Sequence, residues 1–375
     1  MQLEHFAMER LQSEWENRVA HNLSESGVHP MAAEELLSPE ERAALLRERL
    51  VYIQSNGTEE LRGRIAALYP PASVENVTVT NGSAEANFIC VWRVVEPGDE
   101  VILVLPNYGQ LWGMLRGFGA QVKSVHLREE LGWGLDLDEL EKAFSPRTRL
   151  ICVCNPNNPT GAILAQAERD AILRLAAKHG AWILADEVYR GAERDGAETA
   201  TFWGAYERVL ATAGLSKAYG LPGLRIGWVV SPKDESGNVW ARKDYTSISP
   251  GALSDFLARK ALAPALRARI LERTRGILNR NYPVLEQWVG KRGDAFRLVP
   301  PRAGAIAYMR YAWPVNSLEL VLRLRDEQSV LIVPGDHFGM DGFLRVGFGN
   351  EPEDLRGGLG RIDALLDSLA TARSA

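Results

Sequence analysis

Only three cysteines, Cys90, Cys152 and Cys154, occur in the 375 residues. That is too few for a disulfide framework and points to a reducing compartment. Cys152 and Cys154 stand two apart, so on a strand they would share a face. With no second Cys or His pair beside them they read as buried small hydrophobes, and no metal site is expected. Positive charge is not in excess either. The 43 Lys and Arg against 48 Asp and Glu leave a net charge of -5, which offers nucleic acid no basic footprint. No apolar run approaches the length that spans a bilayer, so no membrane partner is expected. The first ten residues carry acids and no apolar core, so a signal peptide is not expected and the cytoplasm is the expected location. Repeats, low-complexity linkers and heptad arrays are missing. No Gly-x-Gly-x-x-Gly opens a helix after a strand, which argues against a nicotinamide-dependent dehydrogenase.

What the chain does have is alternation. Residues 77–80 form a short β-branched run ending at Asn81-Gly82-Ser83, and residues 84–95 then predict a helix. Residues 100–105 and 150–154 are continuous apolar runs of the kind covered on both faces. Residues 165–179 have helical spacing with Gly180 placed as the stop, and 181–185 and 209–213 read as further strands. Such βαβ alternation predicts an α/β fold with a mostly parallel, doubly wound sheet. From about residue 254 the pattern turns helical, with a long helix from 266 towards 290. Strands are expected at 304–309 and 343–348, and a closing helix at 353–373. The expected organisation is a large domain over 46–274 and a smaller α+β domain that joins 1–45 to 275–375.

The chemistry gathers at the predicted strand ends, where ligands sit in open α/β sheets. Ser83 and Ala84 open a helix whose free N–H groups favour an anion, although Ser83 also suits an ordinary N-cap. Asn158, in Asn155-Pro-Asn-Asn-Pro-Thr-Gly161, can donate to a phenolate-type oxygen or simply serve a turn. Asp186 can pair with a protonated ring nitrogen or cap a helix, and Tyr189 lies three residues on. Tyr108, in Pro106-Asn-Tyr, can stack on a heteroaromatic ring. Within 214–228, Lys217 is a candidate covalent nucleophile, and Ser216 and Arg225 with the nearby glycines can hold a phosphate. A phosphate and an aldehyde occur together in pyridoxal phosphate.

Asn-Pro-x-Asn-Pro-Thr-Gly, Asp-x-x-Tyr and Ser-Lys-x7-Arg in this order give the chain a specific resemblance, over nearly its whole length, to the class I/II aminotransferases. These are pyridoxal 5'-phosphate enzymes of fold type I. The resemblance implies that Lys217 forms the internal aldimine and then serves as general base at the substrate Cα. It implies that Asp186 pairs with the pyridine nitrogen, that Asn158 and Tyr189 bind the ring oxygen, and that Tyr108 stacks on the ring. Ser83, Ala84, Ser216 and Arg225 would hold the phosphate. Tyr52, in Tyr-x4-Gly-x-x-x-Leu-Arg, matches a tyrosine lent to the neighbouring subunit's phosphate, which implies a homodimer with shared sites. Arg345, in Phe-Leu-Arg-Val-Gly, matches the arginine for the substrate α-carboxylate, a role its planar fork suits. The implied reaction moves an amino group between an α-amino acid and a 2-oxo acid, with Asn158 also a substrate contact.

One segment departs from the family pattern. Where many members carry a glycine-bearing segment that closes on substrate, this chain reads Asn22-Leu-Ser-Glu-Ser-Gly-Val-His-Pro30. Gly27 can take that part, while Glu25 and His29 would bring charge near the pocket. The segment resembles the capreomycidine-synthase branch, where the same cofactor performs elimination and ring closure on an arginine derivative. Glu25 at the pocket would favour a basic amino acid. The other reading makes Ser24 or Ser26 a helix cap and leaves Glu25 exposed. Elimination, cyclisation or oxidation on a basic amino acid is therefore the alternative to transamination. His337, on a loop before the Arg345 strand, reads as structural.

Overall fold

The apolar runs in the middle of the chain form one eight-stranded sheet in the computed structural model, which describes residues 2–374. A two-residue strand, β1 (His21–Asn22), precedes it. The sheet is built from β2 (Val77–Thr80), β3 (Glu100–Leu105), β4 (Gln121–Arg128), β5 (Gly134–Leu135), β6 (Thr148–Cys154), β7 (Trp182–Asp186), β8 (Val209–Gly214) and β9 (Gly227–Val230). Their spatial order is β2-β9-β8-β7-β6-β3-β4-β5. The run from β8 through β7, β6 and β3 to β4 is parallel, whereas β9 opposes both neighbours and β5 opposes β4.

The apolar continuity of the central strands follows from burial on both faces. Ile102 and Val104 of β3 enter one apolar cluster, and Val101 and Leu103 enter another. Cys152 and Cys154 are buried and unpaired in β6. The helices include α1 (Ala7–Trp15), α2 (Ser83–Val94), α3 (Gly109–Gly117), α4 (Gln166–His179), α5 (Pro264–Lys291) and α6 (Pro352–Ser374), of which α2, α3 and α4 pack on the central strands and α5 and α6 pack on each other. α4 stops where expected, because Gly180 adopts φ 65 and turns its N–H back to the carbonyls of Ala176 and Ala177.

A second, antiparallel sheet has the order β10-β11-β14-β13, formed by β10 (Phe296–Leu298), β11 (Ile306–Tyr311), β13 (Val333–Pro334) and β14 (Phe343–Gly347). Between β11 and β13, β12 (Val330–Leu331) pairs in parallel with β1. β11 begins two residues later than the sequence suggests, because Gly304 has φ 76 and donates its N–H to Ala192 instead of entering the ladder. Residues 1–45, for which no bounded element was expected, contain α1, β1 and two short helices at Ala33–Leu36 and Pro39–Leu45. β9 was also unexpected: its Gly-Trp-Val-Val is short and follows a glycine-rich turn. Among the described residues no helix is long and apolar enough to cross a membrane, and no group of three or more His, Cys, Asp or Glu is placed to hold a metal.

Candidate active site

A cavity of about 280 Å³ opens where β2, β3, β6, β7 and β8 end. Ser83, Ala84, Tyr108, Asn158, Asp186, Tyr189, Ser216, Lys217, Arg225 and Arg345 all line it. Tyr52 and Gly27 do not. Tyr52 is 84% exposed. Gly27 packs behind the cavity, where a Cβ would stand 3.2 Å from the Ser216 carbonyl and 3.5 Å from Lys217 Cα.

One end of the cavity is an anion cradle built by close backbone approach. Gly82 is the N-cap of α2 at φ 84, so Ser83 is the first helical residue and not the cap. A Cβ on Gly82 would lie 2.4 Å from an Arg225 guanidinium nitrogen, and one on Gly227 would lie 2.4 Å from Gly82 C and Ser83 N. These glycines let β9, Arg225 and the start of α2 press together. The first-turn N–H groups of Ser83 and Ala84 have no partner within the helix, and its positive end adds to the Arg225 charge.

At the floor, Asp186 closes β7, and a turn follows it, which removes the helix-cap reading. Its Oδ2 accepts from Asn87 Nδ2 at 2.8 Å and its Oδ1 from Val188 N at 3.1 Å. Thr212 Oγ1 donates to Asn87 Oδ1 at 2.7 Å, so the amide is fixed with its N–H groups towards the carboxylate. Burial pushes the Asp186 carboxyl up, against the pull of Asn87 and the Val188 amide. Asn87 was missed in the sequence, although it stands four residues after Ser83 on the same helix face.

Tyr189 OH donates to Ser26 Oγ at 2.8 Å, and burial pushes the phenol up to about 12 against Lys217 and Arg345. Tyr108 sits at the N-cap of α3 and donates its hydroxyl to Glu9 Oε1 at 2.6 Å, with the Phe6 ring edge-on at 4.9 Å. Arg345 is 1% exposed, which removes the surface-strand reading. It donates to Asn158 Oδ1 at 2.9 Å and to the Ser24 carbonyl at 2.6 Å, while its Nε is buried without a partner.

The segment that departs from the family pattern lies at the centre of the site. No helix begins at Ser24 or Ser26, so neither caps one, and Glu25 is not a free surface side chain. Glu25 Oε1 lies 2.6 Å from Lys217 Nζ. Burial opposes the Glu25 charge, yet Lys217 and the Ser26 and Gly27 amides hold the carboxyl down at about 2. Burial likewise disfavours the Lys217 ammonium, but Glu25 overrides it and the amine titrates above an ordinary lysine. His29 turns away: its Nδ1 meets Arg273 at 2.9 Å and Glu351 at 3.2 Å. His337 lines a separate cavity of about 550 Å³.

No motif in the sequence marks the wall contributed by α1. Met8, Glu9, Gln12 and Glu16 of this region line the cavity. Gln12 Nε2 donates to Ser24 at both its carbonyl (3.0 Å) and its hydroxyl (3.1 Å), which ties α1 to the Glu25 segment. Burial, then Glu25 and Glu9, raise the Glu16 carboxyl above its ordinary range.

This donor and acceptor set fits pyridoxal phosphate. The cradle at residues 82–84 with Arg225 suits a phosphate, and the amine of Lys217 suits an aldehyde. Asp186, which forms no ion pair among the described residues, suits a protonated ring nitrogen. The unpartnered Arg345 Nε leaves a donor for a carboxylate.

Comparison with known proteins agrees with this geometry. A family model described as "Aminotransferase class I and II" matches residues 21–362. The chain is 35% identical to capreomycidine synthase of Streptomyces vinaceus, over 94% of this chain and 91% of that protein. It is 28% identical to an aspartate aminotransferase of Streptomyces avermitilis, over 84% and 81%. Among solved structures, a PLP-dependent aminotransferase from Streptococcus suis 89-1591 superposes with a TM-score of 0.92 at 32% identity, covering 98% of this chain and 99% of that one.

Proposed function

Because the chain belongs to the class I and II aminotransferases, pyridoxal-phosphate-dependent enzymes of fold type I, we propose that it passes the amino group of an α-amino acid to a 2-oxo acid. The observation that carries this reading is the convergence on one cavity of Lys217, the Ser83, Ala84 and Arg225 cradle, buried Asp186 and buried Arg345. Bound pyridoxal phosphate supplies an aldehyde and an electron-accepting ring. Ser83, Ala84, Ser216 and Arg225 would hold its phosphate and Asp186 its ring nitrogen. Asn158 and Tyr189 would hold its ring oxygen, and Tyr108 its face.

Lys217 Nζ is the nucleophile towards the aldehyde and, when free, the base that takes the proton from the substrate Cα. Arg345 fixes the substrate α-carboxylate, and its bond to Asn158 links that carboxylate site to the ring-oxygen site. Gly27 admits the Glu25 segment against the backbone of Ser216 and Lys217. Tyr52, remote from its own cavity, would serve a second copy of the chain, which makes the working unit a homodimer. The large unit at 46–274 and the small unit at 1–45 with 275–375 would then flank the shared sites.

A specific observation favours a second reading. Glu9, Glu16 and Glu25 face one cavity, and carboxylates there favour a cationic side chain. Together with the 35% identity to capreomycidine synthase, this supports elimination and ring closure on a basic amino acid. One experiment separates the two readings. Purified protein with pyridoxal phosphate is given each amino acid, with and without a 2-oxo acid, and cofactor and products are weighed by mass spectrometry. Transamination converts the cofactor to its amine form and yields a 2-oxo acid; if no amino donor does so, the first reading is wrong. A product lacking water and formed without an acceptor supports the second.

A further inference from the structure

The carboxylate beside Lys217 is held in place by more than the lysine. Glu25 Oε1, 2.6 Å from Lys217 Nζ, also accepts the backbone N–H of Ser26 at 2.8 Å and of Gly27 at 3.0 Å. The segment that carries it is pinned to the end of β14. Gly347 N donates to the Leu23 carbonyl at 2.7 Å, His29 N donates to the Gly349 carbonyl at 2.8 Å, and Arg345 reaches the Ser24 carbonyl at 2.6 Å. A Cβ on Gly347 would stand 2.2 Å from the Glu25 carbonyl oxygen, so only glycine permits this approach. The position of Glu25 is therefore imposed by the backbone.

We infer that Glu25 is a positioning residue that keeps a proton on the Lys217 nitrogen, both in the free amine and after that nitrogen is joined to the cofactor. This rests on the assignment of Lys217 proposed above. When amine and aldehyde condense, a C=N bond forms, the aldehyde oxygen leaves as water, and the nitrogen can still bind a proton. A carboxylate beside that nitrogen favours its charged form. The other groups whose charge acts on Lys217 are Tyr189, Asp186, Glu16 and Arg345. Arg345 opposes the proton and the acids favour it. Among the described residues only Glu25 is in hydrogen-bond contact with Nζ.

The test uses the full chain loaded with pyridoxal phosphate, whose visible absorbance reports the proton on the Lys217 linkage as pH is varied. Glu25→Gln keeps an acceptor for the Ser26 and Gly27 amides while removing the charge. Its titration midpoint is expected to fall by about one pH unit or more. Glu16→Gln removes a nearby charge that makes no bond to Nζ and is expected to shift the midpoint by less than half as much. Glu25→Asp, which retains the charge, is expected to stay closer to the parent than Glu25→Gln, and it serves if the amide variant does not fold. A second readout is cofactor uptake by the cofactor-free protein at neutral pH, expected to be faster in Glu25→Gln because more of Lys217 is unprotonated. A midpoint unchanged in Glu25→Gln, or moved equally by Glu16→Gln, overturns the inference while leaving the site reading intact. A parent protein that shows no reducible adduct at Lys217 by peptide mass overturns the site reading and the inference with it.

Discussion

Replacing Gly227 by alanine should loosen the cofactor without touching any group that contacts it through a side chain. Gly227 opens β9 and lies between Thr80 of β2 and Gly214 of β8. A Cβ there would stand 2.4 Å from Gly82 C and Ser83 N and 2.7 Å from Gly82 O. All three are backbone atoms, so no rotamer change relieves the contact. Restoring an ordinary separation of 3.4 Å demands that the start of α2 move by about 1 Å. A misplacement of that size costs catalysis on the order of 100-fold where geometry is exacting, and cofactor affinity is expected to fall with it. Overpacking adds a loss of stability of about 1–3 kcal/mol. Equilibrium titration of cofactor-free protein with pyridoxal phosphate, followed by absorbance, measures the first effect, and thermal unfolding the second. Gly223→Ala, in the same turn with nothing within 4 Å of the added methyl, serves as the control and should change neither. Parental affinity in a well-folded Gly227→Ala protein would refute the claim that the cradle depends on this approach.

Three further outcomes are expected. Arg345→Lys keeps the charge but loses the planar fork, so kcat/KM for the amino donor should fall about 10- to 100-fold with cofactor affinity unchanged, as read from steady-state kinetics and absorbance titration. Glu16→Gln should raise KM for arginine and lysine about two- to fivefold and leave neutral amino acids unaffected; a uniform change would remove Glu16 from substrate selection. Glu187 is 1% exposed, and burial raises its carboxyl from 4.5 to about 7. The folded chain thus keeps a proton that the unfolded chain releases. The stability from this group is complete below about pH 4.5 and is lost as pH rises through about 7, on the order of 3 kcal/mol. Glu187→Gln should flatten the decline of the thermal midpoint between pH 5 and 8, and an unchanged slope would count against this account.

Much of the frame was legible because it rests on local signals. The apolar runs of β3 and β6 to β8 and the glycine stop of α4 are each visible within a dozen residues, and the long α5 shows as continuous helical spacing along its own stretch of chain. The residues at the ends of those strands were legible for the same reason, since each is tied to its strand by a few positions of chain. What escaped depends on long-range packing. α1 carries no motif, and only its docking against Ser24 and Tyr108 makes Glu9 and Glu16 part of the cavity. The role of Glu25 was left open between a surface side chain and a pocket carboxylate, because the choice is made by Gly347 and Gly349, more than three hundred residues away. β9 was hidden because its strand character comes from pairing on both sides rather than from its own four residues.

The pinning of the Glu25 segment also sets an order of assembly during synthesis. The bond from Arg345 to the Ser24 carbonyl joins residues 321 positions apart. At ribosomal rates of roughly 5–20 residues per second, Ser24 precedes its partner by roughly 15–60 s. Throughout that interval Leu23 and Val28, fully covered in the finished molecule, have no β14 to lie against. Lys217 is made before that anchor exists. A nascent chain thus passes through a stage in which the reactive amine is present while Glu25 is not yet held beside it.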